Sequence, residues 1–277
     1  FSDYDVAGKG YTLDVVKAKA ATNTSVLSNI ENDIYSQLKQ DAIKYFYHSR
    51  SGIAIQMPYC GRADLARPAG HPSDIMGNAT GTWYSGMGNY TKDVTGGWYD
   101  AGDHGKYVVN GGISVWTMMN QYERALYDGD GSIDPTTKKP IDETTKAPFA
   151  DNTMNIPESG NGTPDILDEA RWQMAMMLKL QITPSENSDY AGMVHHKACD
   201  ESWTGLGIRP DQDTKKRYLQ PPSTSATLNL AATAAQSARI WKTMDSSFST
   251  KCLTAAETAW QAALKHPDVV PGKSDIG

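Results

Sequence analysis

The stretch GGWYDAGDHGKYVVNGG, residues 96–112, sets Asp100 and Asp103 three positions apart among aromatic residues and between two pairs of glycines. Gly96, Gly97, Gly111 and Gly112 predict a chain that turns sharply at both ends of the segment, because glycine adopts left-handed backbone conformations without strain. Two carboxylates held close together cannot both ionise freely, so one stays charged while the other is pushed toward protonation. Such a pair can grip a water molecule, one member accepting its proton and the other orienting it. A metal site would use the same spacing, and so would an acidic turn capping a helix that starts near Gly112.

The surrounding sequence narrows the classes. A chain of 277 residues can bury a large core, as one big domain or one domain with a small addition. Its formal net charge of −6 argues against a nucleic-acid partner, which requires clustered Lys and Arg. No apolar run approaches the roughly 18–20 residues of a membrane span, so no membrane partner is expected. Phe1-Ser2-Asp3-Tyr4 has neither the basic start nor the apolar stretch of a signal peptide, which fits a numbering that begins inside a mature or cut product. Cys60, Cys199 and Cys252 permit at most one disulfide and are too scattered for a zinc ribbon. The 14 Tyr and 7 Trp against only 4 Phe favour rings with a polar edge, which suit wet aromatic surfaces such as those that hold carbohydrate.

Along the chain, residues 1–30 read as strand, turn, strand, from short alternating and β-branched runs. A helical pattern follows from the capping residue Asn32, with Ile34, Leu38, Ala42 and Phe46 on one face. A domain boundary near residue 30 results, with a helical domain over 31–277. Four more apolar stripes appear: Val115, Met118, Met119, Tyr122 and Leu126, then Leu167, Ala170, Met174, Met177 and Leu178 behind the Thr163-Pro164 cap. The third is Leu230, Ala234, Ala238 and Trp241, and the last is Leu253, Ala256, Trp260 and Leu264, beginning after Ser249. The methionine-rich stripes read as core. Connections over roughly 50–111, 128–162 and 183–222 exceed ordinary loop length and are rich in Gly, Pro, Trp, Tyr and His, which marks them as ordered and functional. No internal repeat is evident.

GGWYDAGDHGKYVVNGG closely resembles the signature of glycoside hydrolase family nine, the inverting cellulases built on an (α/α)6 barrel. YSQLKQDAIKYFYHSRSG (35–52), ARPAGH (66–71), IPESGNGTPDILDEARW (156–172), GMVHHK (192–197) and RYLQPPSTSATLNLAATAAQSARIW (217–241) resemble family segments in the same order. The resemblance spans nearly all of residues 30–270 and is strongest to the branch with an immunoglobulin-like domain before the catalytic module. It implies an all-α fold, an incomplete (α/α)6 barrel, since about five of twelve helices are legible. The last strands of an immunoglobulin-like β-sandwich would occupy residues 1–30. It also implies a secreted, extracellular hydrolase of β-1,4-glucan chains, endoglucanase or cellobiohydrolase, whose partner is the remainder of the same catalytic module.

By that resemblance Asp103 is the general base that deprotonates the attacking water, and Asp100 helps to hold the water. An inverting glycosidase separates base and acid by ~6.5–9.5 Å, so the two aspartates are not the acid–base couple. The family's acid is a glutamate near the end of the barrel, in a segment absent from these 277 residues. Glu158 and Glu169 sit in a segment better read as a turn and a helix start. His195, His196, Trp203, Arg217 and Tyr218 are implied to line the sugar subsites, where His donates to hydroxyls and aromatic rings stack on pyranose faces. Packing of the loop is the alternative for each. Tyr99, with Trp98, forms either cleft wall or loop packing.

Some family members bind zinc through two cysteines and two histidines around the catalytic loop. Here Cys60 and His71 are two ligands short of such a site, so zinc is not expected. Calcium, as a structural ion, is the cofactor the resemblance implies. DGDGSID (128–134) spaces Asp128, Asp130, Ser132 and Asp134 for oxygen ligation, but Ile133 occupies the glycine position of the hand-loop pattern, which favours a solvated acidic turn. The rival readings are a non-catalytic glycan-binding fragment and an (α/α)6 glycosidase acting on another polysaccharide.

Overall fold

The computed structural model describes residues 8–13, 26–30, 35–78, 87–127, 136 and 150–271. By compactness the chain divides into Phe1–Ala42 and Ile43–Gly277. In the first unit β1 (Gly8–Leu13) pairs antiparallel with β2 (Val26–Ile30), Tyr11 opposite Ser28 and Leu13 opposite Val26. Two paired strands are thus observed where the sequence predicts them; the turn expected between them lies outside the described residues. The predicted cap Asn32 and Ile34 lie outside the described residues, and the helix is observed as α1 (Ser36–Ser49). Leu38, expected on its buried face, is exposed.

The second unit is built on α2 (Val108–Tyr127), α3 (Asp165–Lys179), α4 (Thr224–Trp241) and α5 (Ser246–Lys265). With α1 they make five α-helices among the described residues, and none is long and apolar enough to cross a membrane. α4 packs along α5, and α2 packs against α3 and α4. One core joins Val115, Met118, Met119 and Tyr122 of α2, Leu167, Ala170, Met174 and Met177 of α3, and Leu230, Ala234, Ala238 and Trp241 of α4. The predicted stripes of these three helices therefore face inward, and the methionines are core. Each such large side chain contributes about 1.5–3 kcal/mol when removed from water.

Helix α5 corrects its own reading. Leu253, Trp260 and Leu264 are exposed, and the buried face is Phe248, Cys252, Ala255, Ala256, Ala259, Ala262 and Ala263. A ridge of small residues lets α5 approach α4 closely and turns the large apolar residues outward. The helix also starts before Ser249, where Asp245 accepts a hydrogen bond from the Phe248 N–H at 2.9 Å. At α3 the proline of Thr163-Pro164 is itself the N-cap residue, with no side-chain cap bond.

The fold is not purely helical. The long connections hold β3 (Ile75–Asn78), β4 (Thr91–Asp93), β5 (Lys106–Tyr107), β6 (Val194–His195), β7 (Lys197–Asp200), β8 (Arg217–Leu219) and β9 (Pro222–Ser223). Five of them form a sheet in the order β4-β3-β8-β7-β5, parallel only between β3 and β8, while β6 pairs antiparallel with β9. These strands are two to four residues long, and β7 reads Lys-Ala-Cys-Asp with all four residues buried, so no alternation betrays it.

Of the four glycines around the central stretch, Gly96 and Gly97 have φ of 99° and 76°, as the expected turn requires. Gly111 and Gly112 instead lie in the first turns of α2. A Cβ on Gly112 would come within 1.7 Å of Asn229 Oδ1, so this glycine serves close helix packing. Gly112→Ala, which in an open helix stabilises by about 1 kcal/mol, should here destabilise by about 1–3 kcal/mol. Adding Asn229→Ala should restore the midpoint in urea unfolding.

Candidate active site

The segment carrying the two aspartates is pinned from both sides. At its start, the Gly97 carbonyl accepts from the Ser51 N–H at 2.8 Å and from Trp172 Nε1 at 3.0 Å. The Trp98 N–H donates to Gln173 Oε1 at 2.7 Å and its indole donates to Glu169 Oε1 at 2.8 Å. The Tyr99 N–H donates to the Ser49 carbonyl at 2.8 Å. Arg50, fully buried, bridges Glu169 and Glu158 and lies 4.6 Å over the Trp172 ring. Burial pulls its proton affinity down, but Glu169 and Glu158 more than offset this and keep the guanidinium charged. Both glutamates are thereby committed to an ion pair.

Between these anchors residues 100–105 close on themselves. The Asp100 N–H donates to the Gly105 carbonyl at 3.0 Å, and Asp103 Oδ2 accepts from the Gly105 N–H at 3.1 Å, the side-chain turn that aspartate favours. A Cβ on Gly105 would lie 2.5 Å from both Asp103 Oδ2 and the Tyr107 ring, so any larger residue would displace the carboxylate or its donor. Tyr107 donates its hydroxyl to the same Oδ2 at 3.2 Å. Among the described residues no cation pairs with Asp103, which is 5% exposed. Asp100 accepts from Asn110 Nδ2 at 3.0 Å and lines a groove of about 200 Å³ together with Tyr45, Phe46, Tyr99, Tyr107 and Asn110. Asp100 thus lines the groove, and Asp103 is buried, bonded to the hydroxyl of the lining residue Tyr107.

The far end of the segment is fixed by buried charge. Lys106, wholly buried, reaches Asp74 Oδ2 at 2.6 Å and the carbonyls of Val94 and Gly96 at 2.5 and 3.1 Å. Burial pushes its pKa down to about 8 despite Asp74. Arg217 grips Asp74 at 2.8 and 3.2 Å, pairs with Asp200, and donates to the His104 carbonyl at 3.0 Å. Burial alone would raise the Asp74 pKa, but Lys106 and Arg217 hold it below the ordinary carboxylate value. Arg217 thus clamps the loop and also lines a groove beside Tyr218.

His195 sits in the interior. It is fully buried, with Nε2 on the Tyr90 hydroxyl at 2.7 Å and Nδ1 on the Gln220 carbonyl at 2.6 Å, and both ring nitrogens are spent on packing. His196, half-buried, places Nδ1 2.9 Å from the Ser223 hydroxyl. Trp203 is 63% exposed on a loop whose Leu206 Cδ2 lies 3.2 Å from where a Gly102 Cβ would stand. Tyr218 lines a second groove of about 530 Å³ with His71, Lys215 and Lys216. Tyr99 is nearly buried, its hydroxyl 2.6 Å from His71 Nδ1, and burial pushes its pKa up to about 12.

Four further residues of this region had no claim from sequence: His104, Asp213, Tyr107 and Asn110. Asp213 Oδ2 lies 2.5 Å from His104 Nδ1. Only the position of His104 directly after Asp103 could have drawn attention. The two-cysteine, two-histidine zinc set does not assemble, because Cys60 Sγ turns to the Arg62 carbonyl and Cys252 is packed in the core. The DGDGSID stretch proposed for calcium lies outside the described residues.

The glycosyl hydrolase family 9 model matches residues 35–276. The chain belongs to that family. It is 52% identical, over 100% of its length and 31% of the relative's, to a cellulose 1,4-β-cellobiosidase of Acetivibrio thermocellus. It is 44% identical to endoglucanase C of Cellulomonas fimi, over 99% of its length and 24% of the relative's. A solved family 9 structure from Bacteroides ovatus superposes with a TM-score of 0.71 at 31% identity, covering 90% of this chain and 41% of that one. The chain thus spans about a quarter to a third of the length of these two relatives. Its five helices are consistent with part of the (α/α)6 barrel of such enzymes.

Two expectations test this account of the framework. Asp74→Asn removes the carboxylate paired with buried Lys106 and one of the two on Arg217, and should destabilise the protein by about 3–5 kcal/mol, read as a lower melting temperature. Burial pushes His195 down to about 4, with the Gln220 carbonyl offsetting only part. The unfolded chain therefore binds the extra proton, and stability present above pH 6.5 is lost as pH falls toward 4. One such histidine costs about 2 kcal/mol between pH 7 and 5. Urea unfolding of His195→Gln at the two pH values should show a correspondingly flatter dependence.

Proposed function

We propose that the chain is the N-terminal part of a secreted catalytic module that hydrolyses β-1,4-glucosidic bonds in cellulose or related β-glucans with inversion of configuration. The observation that carries the reading is the closed 100–105 loop. Asp103 Oδ2 is held by two neutral donors with no cation among the described residues, while Asp100 faces the groove three residues away. A base that must take a proton from water needs its charge unspent by an ion pair, and a second carboxylate beside it can hold the water. Single displacement follows: Asp103 deprotonates the water as it attacks the anomeric carbon, and a glutamate from the remainder of the module protonates the leaving oxygen.

His196, Trp203, Arg217, Tyr218 and Tyr99 are the residues proposed to meet sugar rings or hydroxyls: Arg217 and Tyr218 line one groove, Tyr99 lines the other, and Trp203 stands exposed. The proposed partner of the exposed Trp116 on α2 and of Trp260 and Leu264 on α5 is the rest of the same module, which the relatives' greater length supports. β1 and β2 fit the closing strands of an immunoglobulin-like domain, and calcium remains the proposed structural ion.

In the complete protein carrying this chain, Asp103→Asn should lower kcat on cello-oligosaccharides by at least ~10²-fold while glucan affinity stays within a few-fold. Survival of turnover would remove Asp103 as base. NMR of the first-formed anomer should show inversion, and retention would overturn single displacement.

A further inference from the structure

Beside the loop that carries Asp103, three donor residues converge that the proposed reaction does not use. His71, His104 and Asp213 each offer one ligand atom within 4.8 Å of the others. His71 is the informative member. Its side chain is 9% exposed, its Nδ1 lies against the Tyr99 hydroxyl at 2.6 Å, and its buried Nε2 has no hydrogen-bond partner. That orphaned nitrogen faces Asp213 Oδ2 at 4.0 Å, too far for a hydrogen bond. Two ligands on one tetrahedral ion with bonds of about 2.0–2.1 Å stand roughly 3.3 Å apart, so a small closure brings both onto a shared cation.

We infer that His71, His104 and Asp213 form a binding site for a zinc-class divalent cation. Two imidazoles and one carboxylate are a borderline-soft set that suits zinc and neighbouring transition metals and disfavours calcium or magnesium, which take oxygen. On metal binding the neutral His104 ring carries its proton on Nε2, leaving Nδ1 for the ion, and Asp213 exchanges its contact with the ring for a bond to the ion. The charge balance favours the cation: Asp74, Asp200 and Asp213 are three carboxylates in the contiguous cluster, against the buried cations Lys106 and Arg217. The outer shell is present as well. Tyr99 can fix the His71 tautomer, and the Lys215 N–H donates to Asp213 Oδ1 at 2.9 Å. Three protein ligands leave a fourth position for water. This set shares one histidine with the cysteine-based site considered from sequence and otherwise draws on different residues. Because His104 follows Asp103 directly, a bound ion would tie the loop that carries the base to the segment around Asp213.

The test uses the complete protein stripped with chelator and re-equilibrated with Zn²⁺ or Co²⁺ alone. Wild type should take up one equivalent more than His71→Gln or Asp213→Asn, each of which should bind that equivalent at least tenfold more weakly, and cobalt should give the visible absorption of a four-coordinate site. Equal uptake by wild type and both variants would overturn the site. Crystals soaked in Zn²⁺ decide the matter without variants: an anomalous peak bonded to His71, His104 and Asp213 supports it, and a peak elsewhere or none refutes it.

Discussion

The Arg217 guanidinium is the contact on which the candidate site depends. It joins Asp74 before β3, Asp200 at the end of β7 and the carbonyl of His104, and so ties three segments distant in sequence to the residue after Asp103. A buried ion pair of this kind is expensive to desolvate and adds little net stability, but removing one partner leaves an uncompensated charge. Its value lies in fixing geometry, because an alternative position of the loop would strand either a cation or a carboxylate in the interior. The Arg50–Glu158–Glu169 group does the same at the other end of the stretch, through the Trp98 indole.

Held at both ends, residues 100–105 need few contacts of their own. One backbone hydrogen bond closes the loop and a side-chain turn seats Asp103, with glycine at 105 because no Cβ fits. Rigid placement of a water-activating carboxylate lowers the reorganisation required at the moment of reaction, which is how a framework remote from the bond being broken contributes to rate. The helices supply the base for this arrangement: α3 alone presents Glu169, Trp172 and Gln173 to the start of the loop.

Much of this was legible in the sequence, and the failures have physical causes. The 3.6-residue periodicity of Met118, Met119, Met174 and Leu230 located three helices because those side chains are the core itself. The same logic misjudged α5, where alanines pack and Trp260 faces out, since size does not decide the buried face when helices must approach closely. Asp100 and Asp103 announced themselves through local glycines and aromatics. Arg217 did not, because Asp74 stands 143 residues away, and a buried salt bridge leaves no local signal. His104 and Asp213, 109 residues apart, escaped for the same reason.

The central claim is that the buried clamp, not the loop's own contacts, holds Asp103, the proposed base, in place. Amide hydrogen exchange over residues 98–107 tests it directly in Arg217→Lys, which keeps the charge but loses the planar fork that reaches three partners. Faster exchange confined to that stretch, with α3 to α5 still protected, is the result the account predicts. Unchanged protection of the loop in a variant that binds neither Asp74 nor the His104 carbonyl would contradict it.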